Sequence, residues 1–258
     1  MNYLVSFENG IKTFSFNQPK KKNPVGIDAF EGLLACLAES KQDGTKVLIL
    51  KGEGGNFCAG ADLTAGMADS RFADVSNFLR NFANPTILGI RKAPFPVIAQ
   101  VQGICVGIGF SLALACDMVF ADKTVMFSQI FAKIGLATDG GSGYLLPKTV
   151  GYHKAFEIAT SASMIGAEEA EKLGLVNQLF ETADDLNTQI SQIAQYFTAA
   201  PSVAIAAIKE NLNEGFIEHL AATLEREAVN QGKCFQTQDF MEGVTAFFEK
   251  RKANFIGK

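Results

Sequence analysis

Residues 97–121 read VIAQVQGICVGIGFSLALACDMVFA, and this stretch gives the strongest indication of the fold class. The apolar run at 97–101 is typical of a buried strand, and the glycine-rich segment after it predicts a tight turn. Residues 110–116 then have the composition of a buried helix, and 118–121 predict another strand. A strand, a turn, a helix and a strand in close succession indicate an α/β fold.

The same region could be mistaken for a membrane helix, because residues 93–116 carry no Asp, Glu, Lys or Arg and are long enough to span a bilayer. Two prolines, two glutamines and three glycines interrupt the stretch, however, and Asp117 follows it directly. A buried strand, turn and helix therefore explain it better. The N-terminus, MNYLVSFENG, also lacks the basic and apolar segments of a secretory signal, so no membrane partner is expected.

The elements around this stretch extend the α/β pattern. Asn9 and Gly10 predict a tight turn that joins two strands into a hairpin. Helical spacing near 72–82 predicts a helix that Pro85 and Pro94 interrupt. Strands are further predicted at 3–7, 11–16, 46–50 and 125–128, and helices at 27–41, beyond 139, and at 153–161, 167–173, 184–199, 202–214, 217–235 and 239–250.

Composition narrows the class of protein. The chain has 258 residues, of which 48% are hydrophobic, so it can bury a large core in one domain or in one domain with a small appendage. Its 23 Lys and Arg against 27 Asp and Glu give a formal charge of -4, which argues against a nucleic-acid partner. The five cysteines are scattered without CxxC spacing, which favours reduced thiols in the cytoplasm over disulfides or structural zinc.

Three familiar motifs each fail at one position. Leu112 stands where a dinucleotide-binding GxGxxG pattern needs its third glycine. Gly141 replaces the lysine of a phosphate loop, and Tyr144 replaces the last glycine of GxSxG. The two histidines, His153 and His219, have no clustered carboxylate or cysteine near them in sequence, so we expect no metal site and a packing or surface role for both.

Two glycine-rich turns remain as candidates for function, FCAGADL at 57–63 and GICVGIG at 103–109. Turns of this kind can aim backbone N–H groups into a cavity, and two that converge would form an oxyanion hole from amides alone. On spacing alone, plain connections within a packed core are the commoner explanation of such turns.

Five stretches resemble, in order, the motifs of the enoyl-CoA hydratase/isomerase (crotonase) family: NFCAGADL, VIAQVQGICVGIGFSLALACDMVFA, KIGLATDGGSGYLLPKTVG, GAEEAEKLGLVNQL and EGVTAFFEKRKANFIGK. The resemblance implies a crotonase-like spiral of ββα units at residues 1–200 and a helical trimerisation region at 201–258. It also implies a homotrimer or a hexamer of two trimers. The expected partner is an acyl-CoA thioester; coenzyme A is part of the substrate, and no metal or other cofactor is expected.

The resemblance also assigns expected roles to individual residues. The backbone amides of Ala61 and Ile108 would form the oxyanion hole, and an N–H group is present whatever the side chain. The residues expected to shape the turns around these amides are Ala59, Asp62 and Gly107. The residues expected to contact coenzyme A are Lys22, Phe247 and Lys250. For the two lysines, a solvated surface charge is an equally good interpretation.

The acid/base positions indicate which reaction to expect. Relatives that hydrate enoyl-CoA resemble one another in using two glutamates, but this chain has Ser111 and Phe131 at the matching positions. Neither side chain can act as a carboxylate, and Phe131 would also dry the site. Hydration by the usual mechanism is therefore disfavoured.

Asp139 points to a different reaction. It lies where family members that shift double bonds, including the ring-epoxide isomerases of phenylacetate breakdown, resemble one another in carrying an aspartate. Alternatively, it could cap a helix that starts near Gly140. If Asp139 is buried beside Phe131, its pKa should rise toward that of a useful proton carrier.

The sequence therefore predicts an acyl-CoA double-bond isomerase of the Δ3-Δ2-enoyl-CoA type, with Asp139 as the proton shuttle, in fatty-acid or aromatic-acid breakdown. Three alternatives stay open: an enoyl-CoA hydratase in which Ser111 assists, a ring-epoxide-CoA isomerase, and a non-catalytic acyl-CoA-binding subunit. The choice of acyl group would depend on residues that line the pocket or simply pack in the core, namely Met67, Phe72, Phe78 and Phe82.

Overall fold

A six-stranded sheet lies at the centre of the part of the chain that the computed structural model describes, residues 2–64, 69–72 and 74–258. The strands are β1 (Tyr3–Glu8), β2 (Ile11–Phe16), β3 (Val47–Gly52), β4 (Val97–Val101), β5 (Ile104–Val106), β6 (Met118–Asp122), β7 (Met126–Ser128), β8 (Ile165–Gly166) and β9 (Gln178–Phe180). The large sheet has the order β1-β2-β3-β4-β6-β9, and a small sheet has the order β5-β7-β8.

The helices of the described residues are α1 (Ile27–Glu39), α2 (Val75–Phe78), α3 (Asn84–Lys92), α4 (Ile108–Ala115), α5 (Ser142–Val150), α6 (Tyr152–Ser161), α7 (Ala167–Lys172), α8 (Ala183–Ala199), α9 (Ser202–Asn213), α10 (Phe216–Phe235) and α11 (Gln238–Glu249). A π-helical turn, Leu79–Ala83, joins α2 to α3. Short 3-10 turns occupy Pro19–Lys21, Ser70–Phe72 and Ile130–Ile134.

The predicted N-terminal hairpin is confirmed. β1 and β2 pair antiparallel, with Glu8 opposite Ile11. Asn9 and Gly10 at the turn have φ angles of 51° and 82°, the positive values that favour these two residue types. From β2 onward, neighbouring strands of the large sheet run parallel. The apolar residues of β3 and β4 are buried, which explains why both read as continuous hydrophobic runs.

The two sheets alternate along the chain and so build the predicted spiral of ββα units. β4 belongs to the large sheet, β5 belongs to the small one, and α4 follows them. β6, β7 and α5 repeat this order. The segment after β3 occupies the corresponding place, because Cys58 forms a parallel bridge with Cys105 of β5. Residues 93–116 therefore contain the predicted strand and helix, but the segment predicted as a turn also contains the short strand β5. Within the described residues, no helix is long and apolar enough to cross a membrane.

The prediction that Pro85 interrupts a helix was wrong. The helical path runs from Val75 through the π-helical turn into α3, and Pro85 lies in the first turn of α3. Proline lacks an N–H group and its ring crowds the preceding turn, and the wider π turn just before it relieves that crowding. Pro94 does mark an end, since α3 stops at Lys92.

Helices cover the large sheet on both faces. α8 packs Leu186, Ile190 and Ala194 against a cluster formed by β3, β4 and β6. It begins with a capping box in which Thr182 and Asp185 satisfy each other's backbone N–H groups. The other face carries the main core, to which α1, α3 and α4 contribute. This second face positions the site, because α4 starts at the second glycine-rich turn.

One buried and one exposed polar contact attach the C-terminal helices to the core. The ammonium group of Lys209 on α9 donates to the carbonyl oxygens of Ile90 and Phe95 and, at 2.6 Å, to Asp117. On α10, Glu225 forms a bidentate ion pair with Arg80 of the π-helical turn. These contacts hold α10 against the segment that carries the predicted pocket residues. Trimerisation through residues 201–258 stays a prediction.

Candidate active site

A cavity of about 310 Å³ lies between the two glycine-rich turns, the α2 region, the 3-10 turn Ile130–Ile134 and the ends of α10 and α11. Its lining is mostly apolar. The polar side chains among its described lining residues are those of Lys21, Asp62, Thr64, Asp139 and Gln231. A largely apolar pocket with a few convergent polar groups is typical of a small-molecule site.

The first glycine-rich turn directs the amide of Ala61 away from its neighbouring strand. Val25 donates to the carbonyl oxygen of Gly60, and Asp62 donates to the carbonyl oxygen of Val25. In such a parallel bridge, the N–H of the intervening Ala61 points to the opposite side. Gly60 has a φ of 94°, which lets the chain make this turn.

The second turn leaves the amide of Ile108 available. Gly107 has a φ of 57° and donates to the carbonyl oxygen of Ser128. Ile108 is then the first residue of α4, where backbone N–H groups have no partner within the helix. Neither the Ala61 nor the Ile108 amide donates to another described residue, and both residues line the cavity.

The two turns are held side by side by the bridge between Cys58 and Cys105. Cys58 donates to the carbonyl oxygen of Ile104, and Val106 donates back to that of Cys58. A Cβ atom on Gly107 would lie 3.7 Å from the Cα of Gly60, so the backbones approach closely. Two amides without a partner among the described residues therefore lie on adjoining turns at the cavity, an arrangement that can stabilise an oxyanion.

Asp139 places a buried carboxyl group in the same cavity. The side chain is only 7% exposed. Its Oδ2 accepts a 2.8 Å hydrogen bond from Nε2 of Gln231, whereas Oδ1 has no hydrogen-bond partner among the described residues. Burial raises the pKa of Asp139 from 3.8 to about 7, although the hydrogen bond from Gln231 opposes the shift. A carboxyl group with this pKa can accept and return a proton near neutrality.

Asp139 does not cap a helix, so the alternative interpretation was wrong. α5 begins at Ser142, and the residue at its cap position is Gly141. The backbone carbonyl of Asp139 accepts hydrogen bonds of 2.8 Å from both Ser111 and Ser142. Its side chain turns instead toward Gln231. The backbone and the side chain of Asp139 therefore make different contacts. Two hydroxyl groups hold its backbone carbonyl, and its carboxyl group lines the cavity.

The amino end of α5 is capped from another helix. Glu227 of α10 accepts 2.7 Å hydrogen bonds from the backbone N–H groups of Gly141 and Gly143. Burial raises the pKa of Glu227 to about 8 despite these two donors, and the nearby Asp139 contributes in the same direction. Both carboxyl oxygens of Glu227 are committed to the backbone, and the residue is not among those that line the cavity.

Sequence reasoning missed Glu227 and Gln231, although a signal for them was present. They continue the stripe of buried residues that Leu220 and Leu224 begin on α10. Polar residues at buried helical positions need partners, so their occurrence in such a stripe indicates a polar network. The partners themselves, Asp139 and the loop around it, lie about ninety residues earlier and cannot be read from that spacing.

Most of the predicted binding residues lie at the cavity. The ones that line it are Ala59, Asp62, Gly107, Phe131 and Phe247. Lys22 and Lys250 are exposed and lie outside its described lining. Lys21 lines it instead, with its ammonium group 3.7 Å from Asp62. Ser111 is fully buried in its contact with Asp139 and is likewise outside the lining.

Aromatic rings form much of the acyl-sized part of the cavity. Phe72 and Phe78 line it as predicted, with ring centroids 4.8 Å apart, and Phe235 joins them at 6.0 Å from Phe72. Phe82 packs beside Phe78 and is not a lining residue. Met67 lies outside the described residues. In the described ranges, no group of three or more His, Cys, Asp or Glu side chains could hold a metal ion.

Comparisons with known proteins identify the family of the chain. The family model for enoyl-CoA hydratase/isomerase matches residues 6–258. The 1,2-epoxyphenylacetyl-CoA isomerase of Escherichia coli is 32% identical over 100% of both chains. The crotonyl-CoA hydratase of Syntrophomonas wolfei is 32% identical over 100% of this chain and 98% of its own. A crystal structure of an enoyl-CoA hydratase from Mycobacterium avium superposes with a TM-score of 0.90 at 30% identity, covering 99% of each chain. The chain therefore belongs to the enoyl-CoA hydratase/isomerase family.

Proposed function

We propose that this protein is an acyl-CoA double-bond isomerase of the Δ3-Δ2-enoyl-CoA type. The observation that carries the proposal is the carboxyl group of Asp139, which is buried in the cavity and has a pKa raised to about 7. A double-bond shift needs one group that takes a proton from one carbon and returns it to another. A carboxyl group with a pKa near the working pH can do both.

The reaction follows from the groups at the cavity. The thioester carbonyl accepts hydrogen bonds from the amides of Ala61 and Ile108, which stabilise the negative charge of an enolate more than the neutral substrate. Asp139 removes a proton from C2 of a 3-enoyl-CoA, and the electron pair moves to the thioester oxygen. When the electrons return, the C3–C4 double bond moves to C2–C3, and Asp139 delivers its proton to C4. Every proton and electron pair is conserved.

Among the described residues, no second usable carboxylate lies near Asp139, which disfavours hydration. Ser111 donates its hydroxyl to a backbone carbonyl, and Phe131 contributes an apolar ring to the lining. Glu227 is close to Asp139, but both its oxygens accept backbone hydrogen bonds. The remaining carboxyl group in the described lining, that of Asp62, lies beside Lys21 in the first turn. Activation of water would need two groups placed around it, and this arrangement offers one.

We further propose that coenzyme A binds as part of the substrate and that no other cofactor takes part. Lys21 at the cavity is suited to a phosphate of the nucleotide, and the exposed ring of Phe247 at the cavity can cover part of the ligand. We also propose that the protein forms a homotrimer or a hexamer of two trimers and that it is located in the cytoplasm.

A ring-epoxide isomerase is the second candidate, and the aromatic lining favours it. Phe72, Phe78 and Phe235 present ring faces and edges to the cavity, which suit an aromatic or other planar unsaturated acyl group. The Escherichia coli relative of that name is consistent with this reading. The same oxyanion hole and the same carboxyl group would serve that reaction.

The test uses purified wild-type protein and the variant Asp139→Asn with 3-hexenoyl-CoA. We expect conjugation by the wild type and loss of at least about a thousandfold in kcat for the variant, since the amide cannot carry the proton. Affinity for a non-reactive acyl-CoA thioether should change little, because the amides and the apolar wall remain. Unchanged turnover by the variant would remove Asp139 from the mechanism.

A further inference from the structure

The side chain of Gln231 is placed so that its two ends make different contacts. Its Oε1 accepts a 3.0 Å hydrogen bond from the backbone N–H of Ala137, and its Nε2 donates at 2.8 Å to Oδ2 of Asp139. Because an N–H group can only donate, the contact with Ala137 determines which end of the amide is the oxygen. The amide is 1% exposed, so solvent does not compete for either contact.

This orientation has a consequence for Asp139. An NH2 group must meet a lone pair, so Oδ2 of Asp139 cannot carry a proton on the side that faces Gln231. Oδ1 has no partner among the described residues, and Asp139 lines the cavity. Oδ1 is itself buried, and because no described group donates to it, it is the oxygen with both lone pairs uncommitted when Asp139 takes up a proton.

The loop that carries Asp139 is held along its length by the same helix. Gln231 contacts Ala137 and Asp139, and Glu227, one turn earlier on α10, contacts Gly141 and Gly143. α10 therefore engages every second residue from 137 to 143. From the opposite side, Ser111 of α4 holds the backbone carbonyl of Asp139. The carboxyl group is thus fixed in position as well as in orientation.

We infer that Gln231 is a positioning residue for proton transfer: by engaging Oδ2 of Asp139, it makes Oδ1 the oxygen that exchanges the proton with the substrate. The inference rests on the proposed function, because it assigns a role within the same isomerisation. It adds a requirement that the family resemblance does not contain, namely a neutral amide donor on α10 that acts through Asp139.

The charged groups around Asp139 determine how a pH profile is interpreted. On α10, Glu227 is close enough to Asp139 for the charge of Asp139 to raise the pKa of Glu227. Asp62 on the first glycine-rich turn and Lys21 in the 3-10 turn Pro19–Lys21 also line the cavity, and they pair with each other. The elements that carry Ser111 and Phe131 present no titratable side chain to Asp139 among the described residues. The hydrogen bond from Gln231 lowers the pKa of Asp139, so its loss should raise that pKa.

The experiment compares kcat and KM across pH for the wild type, Gln231→Met, Gln231→Glu and a control, Asn230→Met, whose amide is exposed on the same helix. Methionine has a similar volume but no donor, whereas glutamate keeps an acceptor for Ala137 and, when ionised, donates nothing to Asp139. For both Gln231 variants we expect the midpoint of the rising limb of kcat to move up by about one pH unit, as a lost hydrogen bond to a charged group predicts. KM and the control should stay within about twofold of the wild type, since neither change touches the thioester.

A second measurement is independent of turnover. In protein labelled with ¹³C at aspartate carboxyl groups, the resonance that Asp139→Asn removes identifies Asp139, and its titration midpoint should be higher in both Gln231 variants. Suppose that the wild type shifts double bonds and that the Gln231 variants lose kcat equally at all pH values. If neither the midpoint of kcat nor that of the carboxyl resonance changes in these variants, Gln231 has only a structural role and the inference is wrong. If the wild type shows no isomerisation, the proposed function is wrong, and an unchanged carboxyl midpoint in the variants would overturn the inference separately.

Discussion

The hydroxyl of Ser111 donates a 2.8 Å hydrogen bond to the backbone carbonyl of Asp139, across 28 residues of sequence. Ser111 occupies the position at which the family resemblance implies a glutamate in hydrating relatives. In this chain the side chain at this position binds the backbone of the loop that carries Asp139, and little space remains around Ser111. A Cβ atom on Gly140 would lie 2.7 Å from that of Ser111, so the loop and α4 are in close contact.

Ser111→Ala should therefore affect stability more than catalysis. The carbonyl of Asp139 would keep its second donor, Ser142, so the expected loss is about 1 kcal/mol in the free energy of unfolding. Isomerisation should stay within about threefold of wild type with an unchanged pH profile, because no reacting group is altered. Urea unfolding and steady-state kinetics check both values. A large loss of kcat with unchanged stability would instead assign a catalytic role to the hydroxyl.

Asp139→Asn should make the protein more stable at alkaline pH. The pKa of Asp139 is raised from 3.8 to about 7 by burial, so the folded state holds a proton that the unfolded state has already released. Between these two values the free energy of unfolding falls as pH rises, and above pH 7 the folded protein carries the full cost of a buried charge. Asparagine has no charge to bury. We expect a gain on the order of 1–3 kcal/mol at pH 8, after allowing for its newly buried NH2 group.

Thermal unfolding of both proteins from pH 4 to pH 8 tests this sign. The gain in stability should be small near pH 4, grow up to about pH 7 and then level off, following the raised pKa. An equal difference at all pH values would show that the carboxyl group is not buried as described.

Glu227→Gln should lower the free energy of unfolding, whereas Asp139→Asn should raise it. Both carboxyl oxygens accept backbone N–H groups at the start of α5, and glutamine offers only one acceptor, so its NH2 would face the N–H of Gly141 or Gly143. We expect the free energy of unfolding to fall by about 1–3 kcal/mol at pH 5. This pH is close to the ordinary glutamate pKa of 4.5, so the cost of burying a charged carboxyl group contributes little to the difference. Glu218→Gln, an exposed change on the same helix, is the control. Equal stability of the two variants would contradict the capping role of Glu227.

Ile108→Pro offers a direct test of one oxyanion-hole amide. Proline lacks an N–H group, but it is well tolerated at the first position of a helix, which Ile108 occupies in α4. Gly107, as a glycine, can precede it without added strain. Loss of one donor should lower kcat by roughly a hundredfold or more. Ile108→Val keeps the amide and should retain most activity. Equal activity of the two variants would exclude the Ile108 amide from the hole.

Lys21→Ala and Lys22→Ala separate the two lysines. Lys21 lines the cavity, whereas the neighbouring Lys22 is exposed outside it. If Lys21 contacts a phosphate of coenzyme A, its removal should raise KM roughly threefold to tenfold with little change in kcat, and the effect should weaken at high salt. Lys22→Ala should match the wild type. The reverse result would restore Lys22 as the contact that the family resemblance implies.

The elements with strong periodic patterns could be predicted from the sequence. The hairpin at Asn9-Gly10, the strands that become β3, β4 and β6, and the long C-terminal helices were all predicted within a few residues of their observed bounds. β5, β8 and β9 were missed, because strands of two or three residues are too short to show an alternating pattern. The path through Pro85 was also missed, because a π-helical turn that accommodates proline has no such pattern.

The candidate site was predictable to the extent that it is built from local turns. Ala61 and Ile108 lie in glycine-rich segments whose positive φ angles are local properties, and Asp139 was singled out by resemblance. The partners of Asp139 come from α10 and α4, and only tertiary packing brings them together. Which of the two adjacent lysines reaches the cavity is likewise determined by structure. One turn of 3-10 helix places Lys21 there and not Lys22, and sequence spacing cannot predict this.

In the proposed function, one buried carboxyl group shifts a double bond and does not hydrate one. The most direct measurement gives the purified protein 3-hexenoyl-CoA and crotonyl-CoA in parallel and follows conjugation of the first and hydration of the second. We expect conversion of 3-hexenoyl-CoA by the wild type, loss of this conversion in Asp139→Asn, and negligible hydration of crotonyl-CoA. Rapid hydration of crotonyl-CoA without conjugation of 3-hexenoyl-CoA would contradict it.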